Sequence, residues 1–109
     1  MTFIKINNTL YPASISGKMS DSEWGGRPTK TIRLTMPYST AVELFVDDVQ
    51  WSIVEEYEDE NNQPVQNEYD NSDYCLAGDI IDHRNGILSV KMGRATAEEI
   101  LSIITGGTI

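Results

Sequence analysis

Asn85-Gly86, set between Asp79-Ile-Ile-Asp-His-Arg84 and Ile87-Leu-Ser-Val-Lys-Met92, constrains this chain more than any other pair of its residues. Two apolar-rich runs joined by Asn-Gly are a strong hairpin signal. The two-residue type I′ turn needs positive φ at both central positions, and its twist matches that of the flanking strands. This fixes a register: Arg84 opposite Ile87, His83 opposite Leu88, Asp82 opposite Ser89 and Ile81 opposite Val90. Side chains alternate across a strand, so Ile81, His83, Leu88 and Val90 are expected on a buried face, with Asp82, Arg84, Ser89 and Lys91 on a wet one.

The remaining elements follow from periodicity and punctuation. Thr2 to Ile6 and Thr9 to Lys18 read as strands joined at Asn7-Asn8, with Pro12 placed on an edge or bulge because it lacks an N–H. Met19 to Pro28 reads as a loop, and Thr29 to Met36 as a third strand with Ile32, Leu34 and Met36 inward. Thr40-Ala-Val-Glu43 has the form of a capping box, predicting a helix over about Thr40 to Val46. Val49 to Tyr57 alternates as a fourth strand, and Glu58 to Asn71, interrupted by Pro64, reads as a long polar loop. Asp73 to Arg84 and Ile87 to Met92 complete about six strands, with a bulge expected at Gly78 where the phase switches. Thr96-Ala-Glu-Glu99 repeats the capping box ahead of Ile100, Leu101, Ile103 and Ile104, a second short helix closed by Gly106-Gly107. The fold class is therefore α+β, a mainly antiparallel sheet with two short helices in one domain, residues 1–109. Met36 to Phe45 can be laid over Met92 to Leu101, with Met, Thr, Ala and Glu coinciding. A duplicated βββα unit, halves 1–47 and 48–109, is one reading; the other is that any strand-to-helix entry favours a capping box.

Charge narrows the function classes. A net charge of -9 opposes direct binding to nucleic acid or anionic membrane, since both contacts need Lys and Arg. The single Cys75 cannot form an internal disulfide, and Met1-Thr-Phe-Ile-Lys-Ile6 carries no signal-peptide pattern. The expectation is a protein that is cytosolic when made.

Asp79, Asp82 and His83 are the one cluster with the residue types of a catalytic or metal site. Alternation sends Asp82 away from His83, so no catalytic residue, metal ligand, cofactor or small-molecule ligand is assigned. Cys75 lacks a neighbour that would activate it and reads as a small buried hydrophobe. Between Leu34 and His83 there is no Lys or Arg, while Glu55, Glu56, Glu58, Asp59 and Glu60 crowd together. Such a run is ordinarily a solvated surface; its sharper reading is a docking site for a basic protein. Asp59, Glu60, Asn61, Asp70, Asn71 and Asp73 lack the spacing of a calcium loop. Trp24 and Arg27, in a Gly-rich loop, are residue types enriched at interface anchors, though Trp24 can equally fold back over the sheet edge. The first third of the chain is basic, with Lys5, Lys18, Arg27, Lys30 and Arg33, so the charge pattern permits head-to-tail self-association.

Phe3-Ile-Lys-Ile-Asn7, Tyr11-Pro-Ala13, Ile15-Ser-Gly-Lys18, Trp51-Ser-Ile53, Tyr69-Asp-Asn-Ser-Asp-Tyr74, Ala77-Gly-Asp79 and Asp82-His83 through Lys91-Met-Gly93 together resemble a family of small proteins encoded in prophages of Gram-positive gut bacteria. The resemblance spans most of the chain and implies a phage context without implying a mechanism. The expected function is a non-enzymatic structural or assembly protein, tail-associated and incorporated into the virion. Its partners would be itself or other virion proteins. The alternative is an acidic anti-defence inhibitor that covers the basic nucleic-acid-binding surface of a host nuclease.

Overall fold

The structure, a computed structural model, describes residues 1–96, 98 and 99. Its strands are β1 (Thr2–Ile6), β2 (Thr9–Asp21), β3 (Arg27–Leu34), β4 (Ser52–Glu58), β5 (Pro64–Asp70), β6 (Leu76–Asp82) and β7 (Leu88–Gly93). One helix, α1 (Tyr38–Leu44), follows β3, and a 3₁₀ turn at Ser22–Trp24 links β2 to β3. All paired neighbours are antiparallel, in the order β5-β4-β1-β2-β3-β7-β6.

The β1–β2 hairpin starts from Asn7 and Asn8, both at positive φ (52° and 63°), as a two-residue turn of this hand requires. Counting outward, Ile6–Thr9 is a hydrogen-bonded pair and Phe3–Pro12 a non-bonded one, so the missing N–H of Pro12 removes nothing from this ladder. β1 pairs with β2 only as far as Pro12, and β3 takes over from Ala13 on the opposite flank. The long strand thus hands the sheet from one half to the other.

Chain length forces the sheet to curl. Flat, its two outer strands would lie about 29 Å apart across six spacings. Yet Asn71–Cys75 alone connects β5 to β6, a reach of at most about 20 Å. The halves therefore fold toward each other, and the shared inner face is the core: Ile4 and Ile6 from β1, Ile32 and Leu34 from β3, Leu88, Val90 and Met92 from β7, with Ala41, Phe45, Val49 and Trp51. Trp51 is buried, and its indole N–H donates to the Tyr74 carbonyl (2.9 Å), tying the start of β4 to the connection. The Asn71 N–H donates to the Trp51 carbonyl (2.9 Å), and the Ser72 hydroxyl accepts from the Trp51 N–H (3.1 Å).

The structure bears out an antiparallel, mainly β architecture and corrects its detail. Among the described residues there are seven strands, because the expected polar loop from Glu58 to Asn71 is a tight turn followed by β5. Among the described residues the strands do not repeat as βββα: the second half supplies four of them, two added beside β1 and two beside β3. The bulge expected at Gly78 is present, as the β6–β7 register shifts between Ala77 and Ile80.

The Asn85-Gly86 hairpin is offset by one residue from its expected register: Asp82 faces Leu88, Ile81 faces Ser89 and Ile80 faces Val90. Local side-chain acceptors redraw the turn. The Asp82 carboxylate accepts from the Arg84 N–H (2.8 Å) and Asn85 Oδ1 from the Ile87 N–H (3.1 Å); positive φ falls on Arg84 and Gly86, and the loop lengthens. A one-residue slip reverses every side chain. Ile81 is exposed in consequence and Ile80 takes its place against the core.

The first helix begins two residues earlier than expected, because the Pro37 carbonyl accepts from the N–H groups of Thr40 and Ala41 and no side chain caps it. The second capping box forms: the Thr96 N–H donates to Glu99 Oε1 (3.0 Å) and the Glu99 N–H to Thr96 Oγ1 (3.2 Å), with Glu98 and Glu99 helical. The rest of that expected helix, from Ile100 to Gly107, lies outside the described residues. Among the described residues no helix is long and apolar enough to cross a membrane.

Candidate protein-interaction surface

β4 and β5 build an acidic hairpin. Ser52 to Asp70 contains no Lys or Arg, and β4 pairs with β1 only from Ser52 to Glu55, followed by backbone bonds between Met1 and Glu56. Tyr57, Glu58 and the turn at Asp59–Gln63 extend past that last contact. The turn is held by Asp59, whose Oδ1 accepts from the N–H groups of Asn61 and Gln63 (both 2.9 Å).

Alternation sorts the carboxylates. Register places Glu56, Glu58, Glu68 and Asp70 on the outer face, and Glu55, Tyr57, Asn67 and Tyr69 on the inner one. Glu55 accepts from the Thr2 hydroxyl (2.9 Å) and Glu56 from the Gln66 amide (3.1 Å). Glu68 takes the Lys5 ammonium (3.1 Å), which holds its carboxyl below the usual range. The hydroxyl and N–H of Ser72 do the same for Asp70. Glu58 and Glu60 are exposed and make no ion pair among the described residues. The five carboxylates singled out in the sequence, Glu55, Glu56, Glu58, Asp59 and Glu60, thus share one hairpin, of which Glu58, Asp59 and Glu60 lie on the part that projects past β1. Glu68 and Asp70 read in sequence as part of the same acidic run but not as strand residues, because β5 was hidden in apparent loop composition, although Val65, Asn67 and Tyr69 alternate with Gln66, Glu68 and Asp70.

Trp24 and Arg27 sit elsewhere, over β6 and β7. The Trp24 ring lies against Gly78 and Gly93: a Cβ on Gly93 would fall 2.4 Å from Trp24 Cζ3, and one on Gly78 2.6 Å from Cζ2. The indole is folded back over the sheet and half-buried. Arg27 donates to the Arg94 carbonyl (3.0 Å) and pairs with Glu99 (2.8 Å), holding the Glu99 carboxyl at about 2. Beside them Asp21, 1 % exposed, accepts from Lys91 Nζ (2.8 Å), the Thr29 hydroxyl (2.9 Å) and the Glu23 N–H (3.1 Å). This ionic clasp was invisible in sequence, since 70 residues separate Asp21 from Lys91.

The Asp79, Asp82 and His83 cluster is not drawn into a site. Asp82 serves its own loop, Asp79 is exposed, and His83 Nε2 hydrogen-bonds the Ser89 hydroxyl (2.8 Å). Among the described residues no group of three or more His, Cys, Asp and Glu is placed to hold a metal ion. Cys75 is buried, which pushes its thiol pKa up. Comparison with protein-family models, with curated proteins and with solved structures returned no match.

Proposed function

We propose that this protein is a non-enzymatic phage structural or assembly component of the tail that works through protein–protein contacts made by its exposed strands and its acidic hairpin. The observation that supports this reading is the reach of that hairpin past β1, carrying Glu58 and Glu60 with no ion-pair partner among the described residues. Carboxylates so presented meet a basic protein surface without first breaking an internal ion pair. Glu58→Gln with Glu60→Gln, in a lysogen induced to make particles, is expected to reduce incorporation of the protein and leave its folding unchanged. Complete, infectious particles formed after deletion of the gene would sink the reading.

The second reading, an inhibitor of a nucleic-acid-processing host enzyme, draws on the same outer stripe of Glu56, Glu58, Glu68 and Asp70. Carboxylates fixed on a hairpin can stand in for phosphates against a basic groove. Its signature would be salt-sensitive binding to a purified nuclease, competed by DNA and lost in the same double variant.

A further inference from the structure

Among the described residues the sheet leaves three long flanks open, and two of them are defended. β5 begins at Pro64 and carries Glu68 and Asp70; β6 is broken by the bulge at Gly78–Asp79 and its Ala77 N–H is already taken by Asp47 (2.9 Å). Prolines, charges and bulges are the devices by which edge strands avoid pairing with other chains. The third flank is the side of β2 that β1 leaves bare after Pro12. From Ala13 to Lys18 it has a regular ladder with β3 and no partner on the other side among the described residues, and from Ala13 to Ser20 it contains no carboxylate and no proline.

Parity shows which groups point outward. Tyr11 is hydrogen-bonded to Ile4, so the N–H and C=O groups of Ile15 and Gly17 face the same, open flank. Gly17 is itself informative. A Cβ there would meet only Thr29 O at 3.7 Å and Lys30 Cγ at 3.8 Å, ordinary contacts, so packing within one copy does not require glycine. Glycine inside a strand weakens it and commonly marks close approach of another backbone.

We propose that this flank pairs with the same flank of a second copy, antiparallel and centred on Gly17. The register is self-complementary: Ile15 faces the partner copy's Met19, Ser16 faces Lys18, and the two Gly17 residues meet at the axis without side chains to separate them. Met19, 92 % exposed in the single chain, gains apolar cover. Grooves border both ends of the flank, one beside Ile15, Ile53 and Met1 and one beside Met19, Tyr74 and Lys30, giving the incoming side chains space. Centring on Lys18 would instead oppose two ammonium groups. This deepens the assembly reading by naming one of the partners.

The test uses light scattering across a concentration series on the full chain. Wild type is expected to move from monomer to dimer. Gly17→Pro, which removes an N–H used only on the open flank, is expected to weaken association about tenfold or more while keeping the monomer's thermal transition. Gly17→Cys, which fits the monomer, is expected to give a reducible covalent dimer on mild oxidation. Should Gly17→Pro unfold, the Gly17→Cys crosslink and concentration-dependent amide protection at Ile15 and Gly17 carry the test. A wild type that stays monomeric throughout with Gly17→Cys uncrosslinked would overturn the inference, as would protection independent of concentration. Such a monomer still retained in particles would leave the assembly reading standing.

Discussion

Trp24 shows how a single side chain can be fixed by what its neighbours lack. Its ring occupies the space where Gly93 and Gly78 have no Cβ. Gly93→Ala is expected to cost about 1–3 kcal/mol in urea denaturation through overpacking, and adding Trp24→Ala should recover part of the loss. Gly78→Ala should be rescued less, because its Cβ would also meet the Lys91 carbonyl at 2.9 Å, a backbone atom that cannot swing away. The clasp below the ring makes a pH prediction. The Lys91 hydrogen bond, with those of Thr29 and the Glu23 N–H, outweighs burial and holds the Asp21 carboxyl at about 2. An unfolded Asp titrates near 4, so the clasp's stabilisation is full above about pH 4 and is lost as pH falls through about 2. The gap in Tm between wild type and Asp21→Asn should therefore narrow on acidification over that interval; a constant gap would show that Asp21 acts by packing alone.

Among the elements, the two capping boxes separate a motif from its use. Thr96→Ala should cost about 1 kcal/mol, since its hydroxyl accepts from the Glu99 N–H, whereas Thr40→Ala should cost little because the helix there starts from the Pro37 carbonyl. Thermal melts of the two variants check this directly. The same contrast explains what was legible. Hairpins and period-two runs were readable because apolar residues alternated strongly in β1, β3 and β7. β5 was not, since Gln66, Asn67 and Glu68 bury little and the strand rests on pairing with β4. The register of the last hairpin turned on Asp82 and Asn85 bonding their own backbone, a local choice that Asn-Gly does not announce. The acidic residues of the candidate surface could be named from sequence, but their division between two faces required β5.

At the scale of the whole molecule, curling of the sheet depends on Asn71–Cys75 and on the tryptophan that anchors it. Trp51→Phe removes the bond to the Tyr74 carbonyl and part of the core's bulk, and should destabilise by about 2–4 kcal/mol, with amide exchange rising first in β5 and in the connection to β6. Exchange rising uniformly would argue against a distinct closure. The strand order has a further consequence, for synthesis on the ribosome. The central three strands emerge first, and the neighbours that cover their left and right sides are encoded afterward. At roughly 5–20 residues per second, about 3–12 s pass between release of the third strand and the last. Throughout that interval the nascent chain offers unsatisfied amides to anything nearby, a vulnerability set by gene order alone.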